Sequence, residues 1–201
     1  YVIYKQVEQL NKKALKSHGL DSNGQLYKIN SFEFYRYEDI IKKEDDAGYD
    51  KTAFEKMLEI KGDSDHTKLI DMLTDLNDYS IGIEDVLKEH FDEENIVYWM
   101  AFQILMGNVD TQNRNVYLYS PLNSDIWYFI AWDNDGCLMR SEYELKNFSD
   151  QGSWEKGISN YWGNVLFQRC LKSRSFREKL NDAILELREY LNKDMLISKI
   201  E

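Results

Sequence analysis

The stretch from Asp92 to Gly107 constrains the fold more than any other part of the chain. Asp92, Glu93 and Glu94 suit a helix N-terminus, where carboxylates meet unpaired backbone N–H groups. The run that follows, with Ile96, Val97, Trp99, Met100, Ala101, Phe102, Ile104, Leu105 and Met106, leaves almost no polar face. A helix that is apolar all round must be enclosed by other elements, so this one is expected at the centre of a domain, ending at Gly107.

The surrounding pattern is mostly helical. Leu69, Ile70, Leu73 and Leu76 share one face of another helix, with Ser64 or Asp65 as its cap. Thr52 followed by Glu55, and Ser175 followed by Glu178, have capping-box spacing. Phe176, Leu180, Ile184, Leu187 and Leu191 form the stripe of a long final helix, and shorter helices are expected over 9–18, 82–90 and 161–171. Strands are expected over 1–7 and 25–30. Asn115 to Ser120 and Ile126 to Trp132 form a predicted hairpin, and 140–157 a loop. With one proline, no repeat and no low-complexity linker, residues 1–201 are expected to form a single domain, α+β and mostly helical.

Charge and composition narrow the classes of function. A net charge of −11 argues against a protein that wraps nucleic acid or lies on an anionic membrane, since both need a basic surface. No apolar run is long enough to insert into a bilayer. At 43% hydrophobic and 14% aromatic residues the chain has material for a packed core. Its start at Tyr1, without Met or a charged leader, suggests a piece of something longer. Cys137 and Cys170 lie far apart without a CxxC, and His18, His66 and His90 are scattered, so these five are expected to be structural or surface residues.

The residues with chemistry to offer flank the hairpin. Gly107-Asn108-Val109-Asp110-Thr111-Gln112-Asn113-Arg114-Asn115 leads in, and Trp132-Asp133-Asn134-Asp135-Gly136 leads out. Two strands joined by a short loop return the chain to where it left, so Asp110, Asn115, Asp133 and Asp135 are expected to converge. Carboxylate and amide oxygens gathered in this way suit a hard cation such as Mg²⁺. Asp110 and Asn115 also have the D-x-x-x-x-N spacing of a phosphoryl-transfer catalytic loop, in which Asp orients the acceptor hydroxyl and Asn holds metal. The competing reading is turn chemistry, because Asp and Asn cap local backbone in any loop. A carboxylate-rich Mg²⁺ or Ca²⁺ hydrolase is a weaker third reading, since nothing near the site except Asp110 offers a base. Arg114 is expected on the surface, and Tyr117, Tyr119, Trp127 and Trp132 in hairpin packing.

The run YWMAFQILMGNVDTQNRNVYLYS and the later WYFIAWDND resemble the core of the spore-coat protein H (CotH) kinase family. That core has a buried helix, an Asn-x-Asp loop, an N-x-Y-L-Y strand and a W-D-x-D turn. YVIYKQVEQL, GQLYKI and LFQRCLKSRSFREK are similar to other parts of the same family, so the resemblance spans nearly the whole chain.

The resemblance implies a fold like the C-terminal lobe of an atypical protein kinase, with a short β-hairpin at the active site. It implies transfer of the ATP γ-phosphoryl to Ser or Thr of partner proteins, with Mg²⁺ or Mn²⁺. Matched by motif, Asp110 is the catalytic-loop Asp, Asn115 and Asp133 are metal ligands, Asp135 is a second carboxylate, and Glu8 lies near the adenine. The glycine-rich phosphate contacts and phosphate-binding Lys of the family are expected upstream of Tyr1, so these 201 residues alone are expected to lack turnover. The alternative is a non-catalytic binding or structural module of a spore coat or cell-surface protein.

Overall fold

The computed structural model describes residues 8–108, 111–137 and 161–200. The predicted strand over 1–7 and the predicted loop over 140–157 lie outside them, as does Asp110. Among the described residues the fold is α+β, with eight α-helices and one four-stranded antiparallel sheet. No helix among them is long and apolar enough to cross a membrane.

Most of the helices begin where side chains satisfy the first backbone N–H groups. Asn11 Oδ1 accepts from Lys13 and Ala14 at the start of α1 (Lys12–Ser17). Asp50 does the same for α2 (Lys51–Met57), accepting from Thr52 at 2.8 Å. Thr52 is therefore inside the helix and does not cap it. Asp65 accepts from Thr67 at 2.9 Å where α3 (Thr67–Asn77) starts, and α4 spans Ile83–His90. Asp92 accepts from Asn95 at 2.9 Å ahead of α5 (Glu93–Leu105), as its acidic start suggested. Asn164 caps α6 (Val165–Lys172), and Ser173, two residues before the expected Ser175, caps α7 (Arg174–Tyr190). Ser175 and Glu178 are engaged elsewhere, with Glu84 and Arg174. A last helix, α8, covers Lys193–Ile200.

The sheet runs in the order β2-β1-β3-β4, from β1 (Gln25–Ile29), β2 (Leu58–Ile60), β3 (Val116–Ser120) and β4 (Tyr128–Ala131). Tyr27 faces Leu118 across β1 and β3, and Leu118 faces Phe129 across β3 and β4. Because side chains alternate between faces, Tyr27, Ile29, Val116, Leu118 and Phe129 enter the main core with the helices. Leu26, Tyr117 and Tyr119 lie on the other face, under Leu15 of α1 and beside Ile130 and Trp132. At Gly24, beside β1, a Cβ atom would come within 2.2 Å of the Ser120 carbonyl, so only glycine lets the chain pass there.

The apolar helix α5 sits where its sequence puts it. Ile96, Val97, Trp99, Met100 and Ala101 are buried, and Phe102, Ile104 and Leu105 are half-buried. It packs along α7 and against β4. On α3, Leu69, Leu73 and Leu76 are buried together with Met72, while Ile70 is half-buried. The histidines all have partners within the fold. His18 pairs with Glu8 and His90 with Asp75, while buried His66 lies between the Tyr27 hydroxyl at 2.7 Å and the Tyr49 hydroxyl at 3.4 Å.

Two stability predictions follow from this packing. Phe167 is 1% exposed and Leu185 is 59% exposed. Phe167→Ala is expected to cost about 3–5 kcal/mol and Leu185→Ala less than about 0.5 kcal/mol, read from urea midpoints at unchanged m.

Burial holds the His66 imidazole below its ordinary 6.5, against the opposing pull of Glu44, Asp65 and Asp63. The unfolded chain then takes up the proton first. The stability from neutral His66 is complete above about pH 6.5 and is lost as pH falls from there toward its lower folded value. Asp21, Asp65, Asp78 and Glu84 are held below their ordinary 3.8 to 4.5, so their contributions disappear only in more acid solution. The unfolding free energy should therefore fall as pH is lowered below about 6.5, and His66→Gln should flatten that dependence.

Candidate functional site

The loop after α5 turns sharply because Gly107 takes a left-handed φ of 61°, a conformation that costs glycine little. Asn108, buried at its exit, donates its backbone N–H back to the Gln103 carbonyl at 3.0 Å. From Thr111 to Asn115 the chain is held by contacts from outside the loop. Asn164 Nδ2 donates to the Gln112 carbonyl at 2.8 Å, and the Phe32 N–H donates to the Asn113 carbonyl at 2.8 Å. Asn113 Nδ2 donates to Glu33 Oε1 at 2.9 Å, and the Asn115 N–H donates to the Ile29 carbonyl at 3.1 Å, where β3 is about to begin.

The hairpin then returns the chain. Val116 pairs with Ala131, so Asn115 and Trp132 leave the ladder at the same end, with Asp133 next. Asn115 and Asp133 have φ of 56° and 54°. Asp and Asn are among the few non-glycine residues that adopt this region readily, which explains these residue types at two sharp exits from the sheet. Trp132 stands edge-on to Tyr117 at 5.4 Å, fixing the strand end just before Asp133.

After Asp133 the chain makes a 3₁₀ turn over Asn134–Gly136. The Asp133 side chain makes no capping hydrogen bond to that turn. Asn134 Oδ1 instead accepts from Gln103 Nε2 at 3.3 Å and from Asn108 Nδ2 at 3.4 Å. The turn is thereby tied to the end of α5. Cys137 follows, its thiol pKa raised by burial and by the Asp135 charge against a hydrogen bond from Asn108.

Of the residues singled out in the sequence, Asn115 and Asp133 are brought to one end of the hairpin. Asp135 is exposed in the adjoining turn, and Arg114 is exposed in the loop. Glu8 lies on the surface, its carboxylate 2.9 Å from His18 Nε2. Asp110 is outside the described residues.

Four supporting residues were not picked out from the sequence: Gln103, Asn134, Glu33 and Asn164. Gln103 did carry a signal, as the one amide inside the apolar run of α5. Its Nε2 reaches Asn134, while its Oε1 is buried without a hydrogen-bond partner among the described residues.

The donor set fits a hard divalent cation. Asn115, Asp133 and Asp135 offer an amide oxygen and two carboxylates, all oxygen ligands. Among the described residues no group of three or more His, Cys, Asp or Glu is gathered for a metal ion.

The model of the CotH kinase protein family matches residues 3–201. The chain belongs to that family. No curated protein matches it.

The tie between α5 and the turn has a measurable consequence. Asn134→Ala removes the acceptor shared by Gln103 and Asn108, and should destabilise the fold by about 1–2 kcal/mol in thermal or urea unfolding. Asn134→Asp keeps an acceptor in place and should cost less.

Proposed function

We propose that residues 1–201 form one unit, the C-terminal lobe of an atypical protein kinase that transfers the γ-phosphoryl of ATP to Ser or Thr of partner proteins. The observation that carries this reading is the hairpin register. It brings Asn115 and Asp133 to one sheet end. Membership of the CotH kinase protein family supports the same conclusion.

In this reading Asn115 and Asp133 hold Mg²⁺ or Mn²⁺, with Asp135 as the further carboxylate. When bound, the cation neutralises phosphate charge. Asp110 accepts the proton of the acceptor hydroxyl as its oxygen bonds to the γ-phosphorus and the bond to the β-phosphate oxygen breaks. Glu8 lies near the adenine, in the segment that joins the two lobes. The loop and turn contribute positioning, which is most of what a protein supplies to phosphoryl transfer.

The test uses the full-length protein, labelled ATP, Mg²⁺ or Mn²⁺ and a Ser-rich acceptor, with melting temperature measured alongside. Asp110→Asn should lower phosphotransfer by on the order of 10² or more at unchanged stability. Asp133→Asn should raise the metal concentration needed for half-maximal rate and lower the rate as well. If both variants keep full activity, the residues serve turn chemistry and the chain is a binding module.

A further inference from the structure

The geometry points to Asn164 as a positioning residue for the loop from Thr111 to Asn115, working with Glu33 as a bracket. The catalytic consequence rests on the kinase reading above; the bracket itself does not.

Asn164 is 1% exposed and uses both halves of its amide. Oδ1 accepts from the Leu166 and Phe167 N–H groups at 3.1 and 3.3 Å, the ordinary work of an N-cap. Nδ2 reaches 52 positions back along the chain to the Gln112 carbonyl at 2.8 Å. Asp also caps helices well but carries no donor, and the single hydroxyl of Ser or Thr is a shorter group than an amide whose oxygen and nitrogen point to two different partners. Asparagine at this place thus serves the helix through Oδ1 and the loop through Nδ2.

The neighbouring contacts make the tie a bracket. The Val165 N–H donates to the Glu33 carbonyl at 2.9 Å. The Glu33 carboxylate accepts from Asn113 Nδ2 at 2.9 Å and from the Tyr37 hydroxyl at 2.6 Å. Gln112 and Asn113 are therefore both held through residues that meet at the start of α6. That helix is rooted in the core by Phe167, whose ring stacks on Trp99 at 5.5 Å and 13°. A loop fixed at two consecutive residues has little freedom to carry Asn115 away from the hairpin end. Displacing a reacting group by about 1 Å can cost on the order of 10² in rate.

The experiment compares Asn164→Ser and Asn164→Asp with the full-length wild-type protein. The readouts are steady-state phosphotransfer, amide hydrogen exchange over 111–116 and 165–172, and Mn²⁺ titration. Both variants keep a cap acceptor and lose the amide Nδ2: Asp has no donor for the Gln112 carbonyl, and Ser has only a shorter hydroxyl. Faster exchange over 111–116 with unchanged protection over 165–172 is expected, together with a fall in kcat of about tenfold or more at a nearly unchanged KM for ATP. The apparent Kd for Mn²⁺ should rise several-fold, because Asn115 is less well held.

Wild-type exchange over 111–116 and wild-type kcat in both variants would overturn the assignment. So would recovery of full activity in Asn164→Asp alone, since capping would then explain the residue. If Asn164→Ser does not fold, the Asp variant decides by the same readouts. A wild-type protein without phosphotransfer defeats the kinase reading, and hydrogen exchange still decides the bracket.

Discussion

Phe129 occupies the point on which the site depends. Its ring lies 4.9 Å from Trp99 of α5 and 5.8 Å from Phe167 of α6, and those two rings stack on each other. Three elements distant in sequence are thereby locked through one aromatic cluster, in which ring contacts add to the area they bury. Asn95 completes the lock by donating to the Phe129 carbonyl at 3.1 Å and accepting its N–H at 2.7 Å. A helix side chain thus takes the place of a further strand on the outer edge of β4. That occupies backbone groups which would otherwise be open to another chain.

The polar ends of the same three elements make the candidate site. Beyond the end of α5 lies Asn108, which binds Asn134. β4 leads through Trp132 to Asp133, and α6 begins at Asn164, which binds Gln112. The apolar parts supply rigidity through close packing, and the polar termini carry it outward as hydrogen bonds. This division suits a reaction in which the protein positions charged groups rather than forming bonds of its own.

Charge follows the same plan. With a net charge of −11 the carboxylates repel one another on balance, and most are solvated at the surface. Asp133 and Asp135 are exposed at the turn. Among the described residues the charged side chain drawn inside is Arg169, 7% exposed, whose guanidinium binds the carbonyls of Leu76, Asp78 and Ile81 and closes the corner between α3 and α4. It is satisfied by backbone, as a buried cation must be by some acceptor.

Periodicity and turn chemistry were enough to locate α5, the hairpin and its register end, because each depends on neighbours a few positions apart. The same local rules put the caps of α2 and α7 two residues late. Asp50 and Ser173 compete with Thr52 and Ser175 for the same backbone donors, and the position of the preceding chain decides between them. The strand β2 was not legible, since three residues directly after a helix have no period of their own and become a strand only by pairing with β1. Asn115, Asp133, Asp135 and Asp110 stood out by residue type and spacing. Glu33 and Asn164 did not, because each acts on a loop 52 or 80 positions away along the chain. The sequence by itself determined which segments had to be buried and which oxygen donors flanked the hairpin. The tertiary structure alone decided what holds those donors, because a hydrogen bond between distant segments exists only once packing has brought them together.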